Sequence, residues 1–166
     1  MTEVYTILSE DGDEYKLQFT TERSGIIADD ILDLINREDV EVVEIGLGRV
    51  KGESVTSAKI LLKIEECVAD FMRSHENVLL SFFCDFINFL PATKKNLPVQ
   101  EYRSRLFSLM FERYVSQHDL KGFSNKVVEI EGIAENFYFH VISRKEHLKY
   151  AEMIAEGHHK DFDKPE

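Results

Sequence analysis

The sequence is poor in cysteine, and this shortage argues against two kinds of site. Cys67 and Cys84 are the only cysteines, and neither belongs to a CxxC pair or to a Cys/His set with metal-ligand spacing. Both lie in apolar segments, which favours buried free thiols in a reducing compartment. A disulfide or a metal pair remains the alternative, but the spacing predicts no metal site.

Basic residues are also scarce relative to acidic ones. The chain has 20 Lys and Arg against 31 Asp and Glu, a net charge of −11. Nucleic acid is therefore not an expected partner, because the phosphate backbone rewards clustered basic side chains. The charge favours a well-solvated surface, and it leaves open an acidic face that binds a basic protein or mimics nucleic acid.

Long apolar runs are absent. None approaches the roughly 18 residues that a membrane helix needs, so no membrane partner is expected. The opening MTEVYTILSEDGDEY lacks the basic start and apolar core of a signal peptide. We expect a cytoplasmic protein, with one domain over residues 1–156 and a polar tail over 157–166.

One apolar stretch is predicted to form the centre of the fold. Asn77–Phe86, NVLLSFFCDF, is a short and nearly continuous apolar run, which predicts a strand buried on both faces at the middle of a sheet. Amphipathic helices are predicted on either side of it, over Ser54–Glu76 and Pro98–Gln117. Helices in these positions are expected to cover the sheet.

Alternating segments predict the remaining strands. Two hairpins are predicted, Val4–Ser9 with Tyr15–Thr21, and Asn125–Glu131 with Asn136–Ser143. Val40–Leu47 also alternates, and the following GLGRVKGES is interpreted as a flexible turn because it lacks the Gly-Lys-Ser/Thr ending of a phosphate loop.

Two shorter helices complete the pattern. Ala28–Asn36 fits either a helix or a continued strand, and the helix is preferred. Ser143 and Glu146 match a capping box before a last helix over Lys145–Glu156. The sequence thus predicts an α+β fold: a mostly antiparallel sheet of about six strands with two long helices packed on it, in the order ββ(α)βαβαββα.

The candidate binding residues are Asp85, Arg103 and Arg105. Asp85 is predicted at the carboxyl end of the central strand, where open sheets place ligand-binding groups. The two arginines are separated by about 200° on the next helix, so at most one can face Asp85. Such a pair could bind an anion, or could simply tie the strand end to the helix.

No catalytic residue, cofactor or metal ligand is predicted. HExxH and GxSxG are absent. His140 alternates with apolar residues in a strand, which favours a hydrogen-bonded core or sheet-face histidine over a catalytic base. The carboxylates Asp29, Asp30 and Asp33, and the pair Glu65-Glu66, are interpreted as solvated helix faces.

Three motifs together resemble a known family. They are YKLQFTT from Tyr15, FCD ending at Asp85, and YRSRLF from Tyr102. The chain resembles a family of small uncharacterised bacterial proteins classified as a domain of unknown function, from about Tyr15 to about Ile154. The resemblance implies a bacterial cytoplasmic origin and a common fold, and no reaction. Asn88–Gln100 lacks the family's Gly-Arg-Gln-type stretch, so any activity that the stretch carries would be missing here.

Three hypotheses of function follow. The leading one is a non-enzymatic interaction protein, such as an immunity or antitoxin-like protein or a defence accessory, with a protein partner that could be basic. The alternative is an enzyme or small-anion binder that uses Asp85 with Arg103 or Arg105. The third is a homodimer formed through exposed aromatic residues, Phe86 and Phe89 among them.

Overall fold

Strands and helices follow one another in the order that the sequence predicts, and the α+β fold class is confirmed. The computed structural model describes residues 2–22, 25–52, 58–83, 99–118, 122–132 and 136–157. Its strands are β1 (Thr2–Leu8), β2 (Glu14–Thr21), β3 (Glu41–Lys51), β4 (Val78–Phe83), β5 (Phe123–Ile130) and β6 (Phe137–Arg144). Its helices are α1 (Asp29–Arg37), α2 (Ala58–Ser74), α3 (Val99–Gln117) and α4 (Leu148–Gly157), the last preceded by a 3₁₀ turn over Lys145–His147.

The six strands form one mixed sheet in the order β1-β2-β3-β4-β6-β5. Both predicted hairpins are present, as the antiparallel pairs β1–β2 and β5–β6. The predicted central strand is β4, which pairs in parallel with β3 and antiparallel with β6. This order makes β1 and β5 the two edges of the described sheet.

Helices cover both faces of the sheet, which explains why β4 is apolar at every position except Ser81. Leu80 packs into the core with residues of α2 and α3, whereas its neighbour Leu79 packs into the core with residues of α1 and α4. Burying each leucine stabilises the fold by about 2 kcal/mol. The two long helices share one face, and the short helices close the other. The ambiguous segment is therefore the helix α1, with Ile35 buried beneath it.

The interpretation of GLGRVKGES as a flexible turn is wrong for residues 46–51, which belong to β3. β3 continues through Gly46 and Gly48, which pair with Gln18 and Lys16 of β2. Backbone pairing with β2 holds this glycine-rich segment in an extended conformation, whereas the segment alone would have no such partner. The strand stops before Gly52, which has a φ of +101° and whose hydrogen faces the Asp13 side chain, where a Cβ would overlap it.

The predicted capping box is also wrong. Ser143 lies within β6, and its hydroxyl oxygen is 3.3 Å from that of Ser124 on β5. Among the described residues, no side chain caps the turn that begins the last helix. Instead, the backbone N–H of Lys145 donates to the carbonyl oxygen of Gly122, the residue before β5, at 2.8 Å, and this bond helps to fix the start of the helix.

The parallel pair β3–β4 separates at its carboxyl end. Pairing extends only from Glu41 with Val78 to Glu44 with Ser81. Beyond that point β3 continues alongside β2, and β4 continues alongside β6. The sheet therefore opens between β3 and β4 where the carboxyl ends of the two strands lie.

Candidate functional site

A groove of about 430 Å³ lies between α3 and the edge strand β5, and we call it the α3–β5 groove. It forms because α3 packs over β6, leaving part of the edge strand uncovered. Its lining residues come from α3, β5 and β6: Glu101, Ser104, Arg105, Ser108, Leu109, Glu112, Val127, Glu129 and Tyr138. The groove thus combines a helix flank with the edge of a sheet.

Two large apolar side chains are exposed in this groove. Leu109 of α3 is 65% exposed and Val127 of β5 is 40% exposed. The periodicity of the helix predicts Leu109 on the apolar side with Tyr102 and Leu106, a side that Phe107, Phe111 and Tyr114 widen. In the structure Phe107 and Tyr114 are buried together with Ser104, and the prediction for Leu109 is wrong. Leu109 therefore faces outward, where it exposes apolar area in the groove.

The charged residues of the groove are mostly acidic. Glu101, Glu112 and Glu129 line it together with Arg105. Arg105 pairs with Glu101, with Nη2 and Oε1 3.2 Å apart. Glu129 accepts hydrogen bonds from Asn136 at 2.6 Å and from the Tyr138 hydroxyl at 3.4 Å. Within the described ranges, one cation against three carboxylates leaves a negative surface around the exposed apolar residues.

Beneath the groove, a chain of hydrogen bonds connects α3 to the sheet. Nε2 of His140 lies 2.9 Å from Oγ of Ser104, and Nδ1 lies 3.0 Å from Oδ1 of Asn125. The Asn125 amide in turn donates to Oγ of Ser108 at 3.2 Å. Since the carboxamide oxygen faces the ring, Nδ1 carries the proton, and Nε2 accepts the proton of the Ser104 hydroxyl.

Of the two positions that the sequence allows for His140, the core and a sheet face, the structure shows the core. His140 is 0% exposed, and its ring stacks on Phe82 and meets Phe107 edge-on, at centroid distances of 5.0 and 5.2 Å. Burial lowers the pKa of the imidazole to about 4. The ring is therefore neutral at physiological pH.

The order serine, histidine, amide is one that can activate a hydroxyl nucleophile. A general base works best when its pKa is near the operating pH, because it must hold the proton that it removes. The apolar rings around His140 disfavour the charged imidazolium, which makes it a weak base. We therefore assign the network a structural role: it fixes the rotation of α3 and hence the shape of the α3–β5 groove.

Of the three candidate residues predicted from the sequence, the structure describes Arg103 and Arg105. Arg105 is exposed in the groove beside Glu101, whereas Arg103 is half-buried. Asp85 lies outside the described residues, as do Phe86 and Phe89 of the proposed dimer contact and the segment 88–98. Whether either arginine faces Asp85 therefore stays a prediction.

The carboxylate clusters divide into two kinds. Asp29, Asp30 and Asp33 lie on α1 and Glu66 lies exposed on α2, as predicted for solvated helix faces. Glu65 is a correction, because it is half-buried and lines a second cavity, between α2 and α3. Burial raises the pKa of its carboxyl to about 7. The helical period could have shown this burial, because Leu61, Val68 and Ala69 lie three or four residues from Glu65, whereas Lys63 and Asp70 lie at those distances from Glu66.

No protein-family model matches the chain, and neither does any curated protein or solved structure. The resemblance to a bacterial family of unknown function accordingly stays a prediction. Within the described ranges, no three His, Cys, Asp or Glu side chains come together as metal ligands. None of the helices in these ranges is both long and apolar enough to cross a membrane.

Proposed function

We propose that this protein is a non-enzymatic interaction module that binds a basic, extended segment of a protein partner along β5. The observation that carries the proposal is the α3–β5 groove, where an edge strand lies beside exposed apolar side chains. Immunity or antitoxin-like proteins and accessories of defence systems are interaction proteins of this kind. A cytoplasmic location and a bacterial origin belong to the same proposal.

Strand addition fits this groove for a geometric reason. An edge strand presents backbone N–H and C=O groups that an extended peptide can pair with. Alternate side chains of an added strand point to the same face of the sheet. On the α3 side, those side chains would lie against Leu109 and Val127. Backbone pairing would then supply affinity, and the groove would supply specificity.

Charge favours a basic partner. The groove carries Glu101, Glu112 and Glu129 against Arg105, on a chain whose net charge is −11. Complementary charge at an interface accelerates association and discriminates against wrong partners more than it increases affinity. Lysine or arginine in the added strand would lie near Glu112, which forms no ion pair within the described part of the chain, unlike Glu101 with its bond to Arg105.

A selection from displayed random peptides tests the proposal. We expect enrichment of extended sequences that alternate apolar and basic residues, with binding that weakens as salt increases. Leu109→Arg should abolish that binding, because it removes apolar area and repels the basic peptide. Leu62→Arg is the matched control, since Leu62 is 47% exposed on α2 and lies outside the groove.

Hydrogen exchange of the complex tests whether the peptide binds along β5. Slower exchange of β5 amides on binding, with β1 amides unchanged, is the expected result, because β1 is the other edge and provides an internal control. Selected peptides that bind equally well to Leu109→Arg, or that protect β1 rather than β5, would contradict the proposal. A failure to enrich any basic peptide would contradict it equally.

A second candidate is an enzyme or small-anion binder that uses Asp85 with Arg103 or Arg105. It is favoured by the separation of β3 and β4 after Glu44 and Ser81. Ligands of open sheets bind in the crevice at the carboxyl ends of strands, where neighbouring connections diverge. Thermal shift with inorganic phosphate and with nucleotides tests this candidate. Stabilisation that is lost in Arg103→Ala or Arg105→Ala supports it, and no stabilisation of the wild type rejects it.

A further inference from the structure

A second cavity, of about 60 Å³, lies between α2 and α3, on a different flank of α3 from the α3–β5 groove. Ile64, Ala69 and Met72 line it from α2, and Phe107 and Phe111 line it from α3. The sheet contributes apolar side chains to it as well. This cavity is independent of the proposed peptide groove, so neither idea depends on the other.

Among the described residues, Glu65 is the one charged side chain that lines this cavity. It forms no hydrogen bond or ion pair within those residues, although it is half-buried. The charged groups around it are Glu66 on α2, and Arg113 and His118 on the side of α3. Burial raises the pKa of Glu65 more than Arg113 and His118 lower it. Burial removes part of the water that would stabilise the ionised Glu65 carboxylate. A cationic hydrogen-bond donor in the cavity would replace that water.

The size of the cavity limits what can enter it. A cavity needs roughly 10–15 Å³ to hold one water molecule, whereas a cavity of about 150 Å³ binds benzene. A volume of about 60 Å³ is thus too small for an aromatic ring. It suits a branched alkyl group of a few carbon atoms, which the apolar lining would favour over water.

We propose that the α2–α3 cavity binds a short branched alkylammonium ion, with the alkyl group among the apolar side chains and the ammonium group on the Glu65 carboxylate. The ligand class combines the two properties of the site, a small apolar volume and a single acidic group at its wall. A neutral molecule of the same shape would fill the volume but would bring no cation into hydrogen-bond contact with the carboxylate.

Binding of an ammonium ion requires Glu65 to be ionised, so affinity should depend on pH. With a carboxyl pKa of about 7, most of the protein carries the proton at pH 6 and little of it does at pH 8. The ionised fraction, and with it the affinity for the amine, should increase about tenfold over that interval. The amine itself stays charged throughout, because alkylammonium groups resemble lysine in their pKa.

The test is a calorimetric or NMR titration of the whole chain with propan-2-amine and, as the neutral match, propan-2-ol. We expect the amine to bind more tightly at pH 8 than at pH 6, by about tenfold, and the alcohol to show no such change. Glu65→Gln should remove the pH dependence and the preference for the amine. Glu66→Gln, on the exposed face, should leave both intact.

Ala69→Leu provides a second variant, because its larger side chain should fill the cavity while Glu65 stays in place. Ala69→Leu should bind neither the amine nor the alcohol. Equal affinity for amine and alcohol, or a pH dependence that persists in Glu65→Gln, would overturn the proposal. Absence of saturable binding by either probe would overturn it as well. None of these outcomes affects the peptide selection, which measures a different surface.

Discussion

Ser104 of α3 and His140 of β6 are joined by a hydrogen bond of 2.9 Å in the interior of the protein. The bond fixes the rotation of α3 about its own axis, since a buried hydroxyl has to face its buried partner. With Ser104 directed inward, Leu109 is directed outward into the α3–β5 groove. A polar contact in the core therefore determines which surface the helix presents.

The burial of His140 predicts a stability that falls in acid. Its folded pKa of about 4 lies below the ordinary value of 6.5, so the unfolded chain takes up the proton first. The contribution is complete above pH 6.5 and is lost as the pH falls toward 4, up to about 3 kcal/mol. Urea unfolding of the wild type and of His140→Gln, between pH 7.5 and pH 5, measures it.

The comparison with His140→Gln is needed because burial also lowers the pKa of His147. Both proteins retain His147, so the change with pH in the difference between them belongs to His140. A difference in unfolding free energy that stays constant across this range would show that His140 is not held neutral by its surroundings.

Removal of the Ser104 hydroxyl should destabilise the fold and disturb the groove together. Ser104→Ala leaves Nε2 of the buried His140 without its donor, which costs about 1–3 kcal/mol. Ser108→Ala is the matched control, because Ser108 is less buried and accepts from Asn125 at the longer distance of 3.2 Å. Denaturant midpoints should therefore fall more for Ser104→Ala. Equal losses of stability in the two variants would show that the hydrogen bond to His140 contributes no more than the bond from Asn125 to Ser108.

Much of the fold could be predicted because its signals are local. The period of two in β1 and β2 is visible in the sequence, and so is the Asp-Gly turn between them. β4 could be recognised because burial on both faces leaves few polar positions. The extension of β3 through Gly46 and Gly48 could not be, since it depends on pairing with β2 rather than on the residues themselves.

The groove could not be predicted, and the reasons are specific. That β5 is an edge follows from the order of strands in space, which leaves no mark on its own residues. Leu109 fits an apolar stripe as well as Phe107 does, and which of them is buried depends on contacts of α3 with the sheet, those of Phe107 with Phe82 and of Ser104 with His140 among them. Glu65, by contrast, has apolar residues one helical turn away on both sides, so its partial burial beneath α3 could have been predicted.

Arg144 should prove to be a structural residue of the α2 terminus. Its guanidinium donates to the carbonyl oxygens of His75 at 2.9 Å and Glu76 at 3.1 Å, and also to that of Met72. These carbonyl groups lie at the carboxyl end of α2, where carbonyl oxygens have no backbone N–H partners within the helix. Arg144→Ala should lower the free energy of unfolding by about 2 kcal/mol or more, because hydrogen bonds from a charged donor are strong.

Arg144→Lys should restore little of this loss, since a single ammonium group cannot reproduce a planar fork with several donors. Hydrogen exchange in the last turn of α2 should accelerate in both variants, with β1 as the reference. Full rescue by lysine would mean that charge near the helix end, rather than the fork, is what matters.

Glu65 predicts a pH dependence of the opposite sign to that of His140. Its pKa increases from 4.5 to about 7 on folding, chiefly through burial. The unfolded chain therefore loses this proton first, and the fold loses stability as the pH rises from 4.5 through 7. Glu65→Gln keeps the shape without the charge, so it should be more stable than the wild type at pH 8 and no more stable at pH 5. Thermal unfolding at the two pH values, with Glu66→Gln as the exposed control, measures this difference, and a Glu65→Gln effect that is the same at both would show that burial does not penalise the ionised carboxylate.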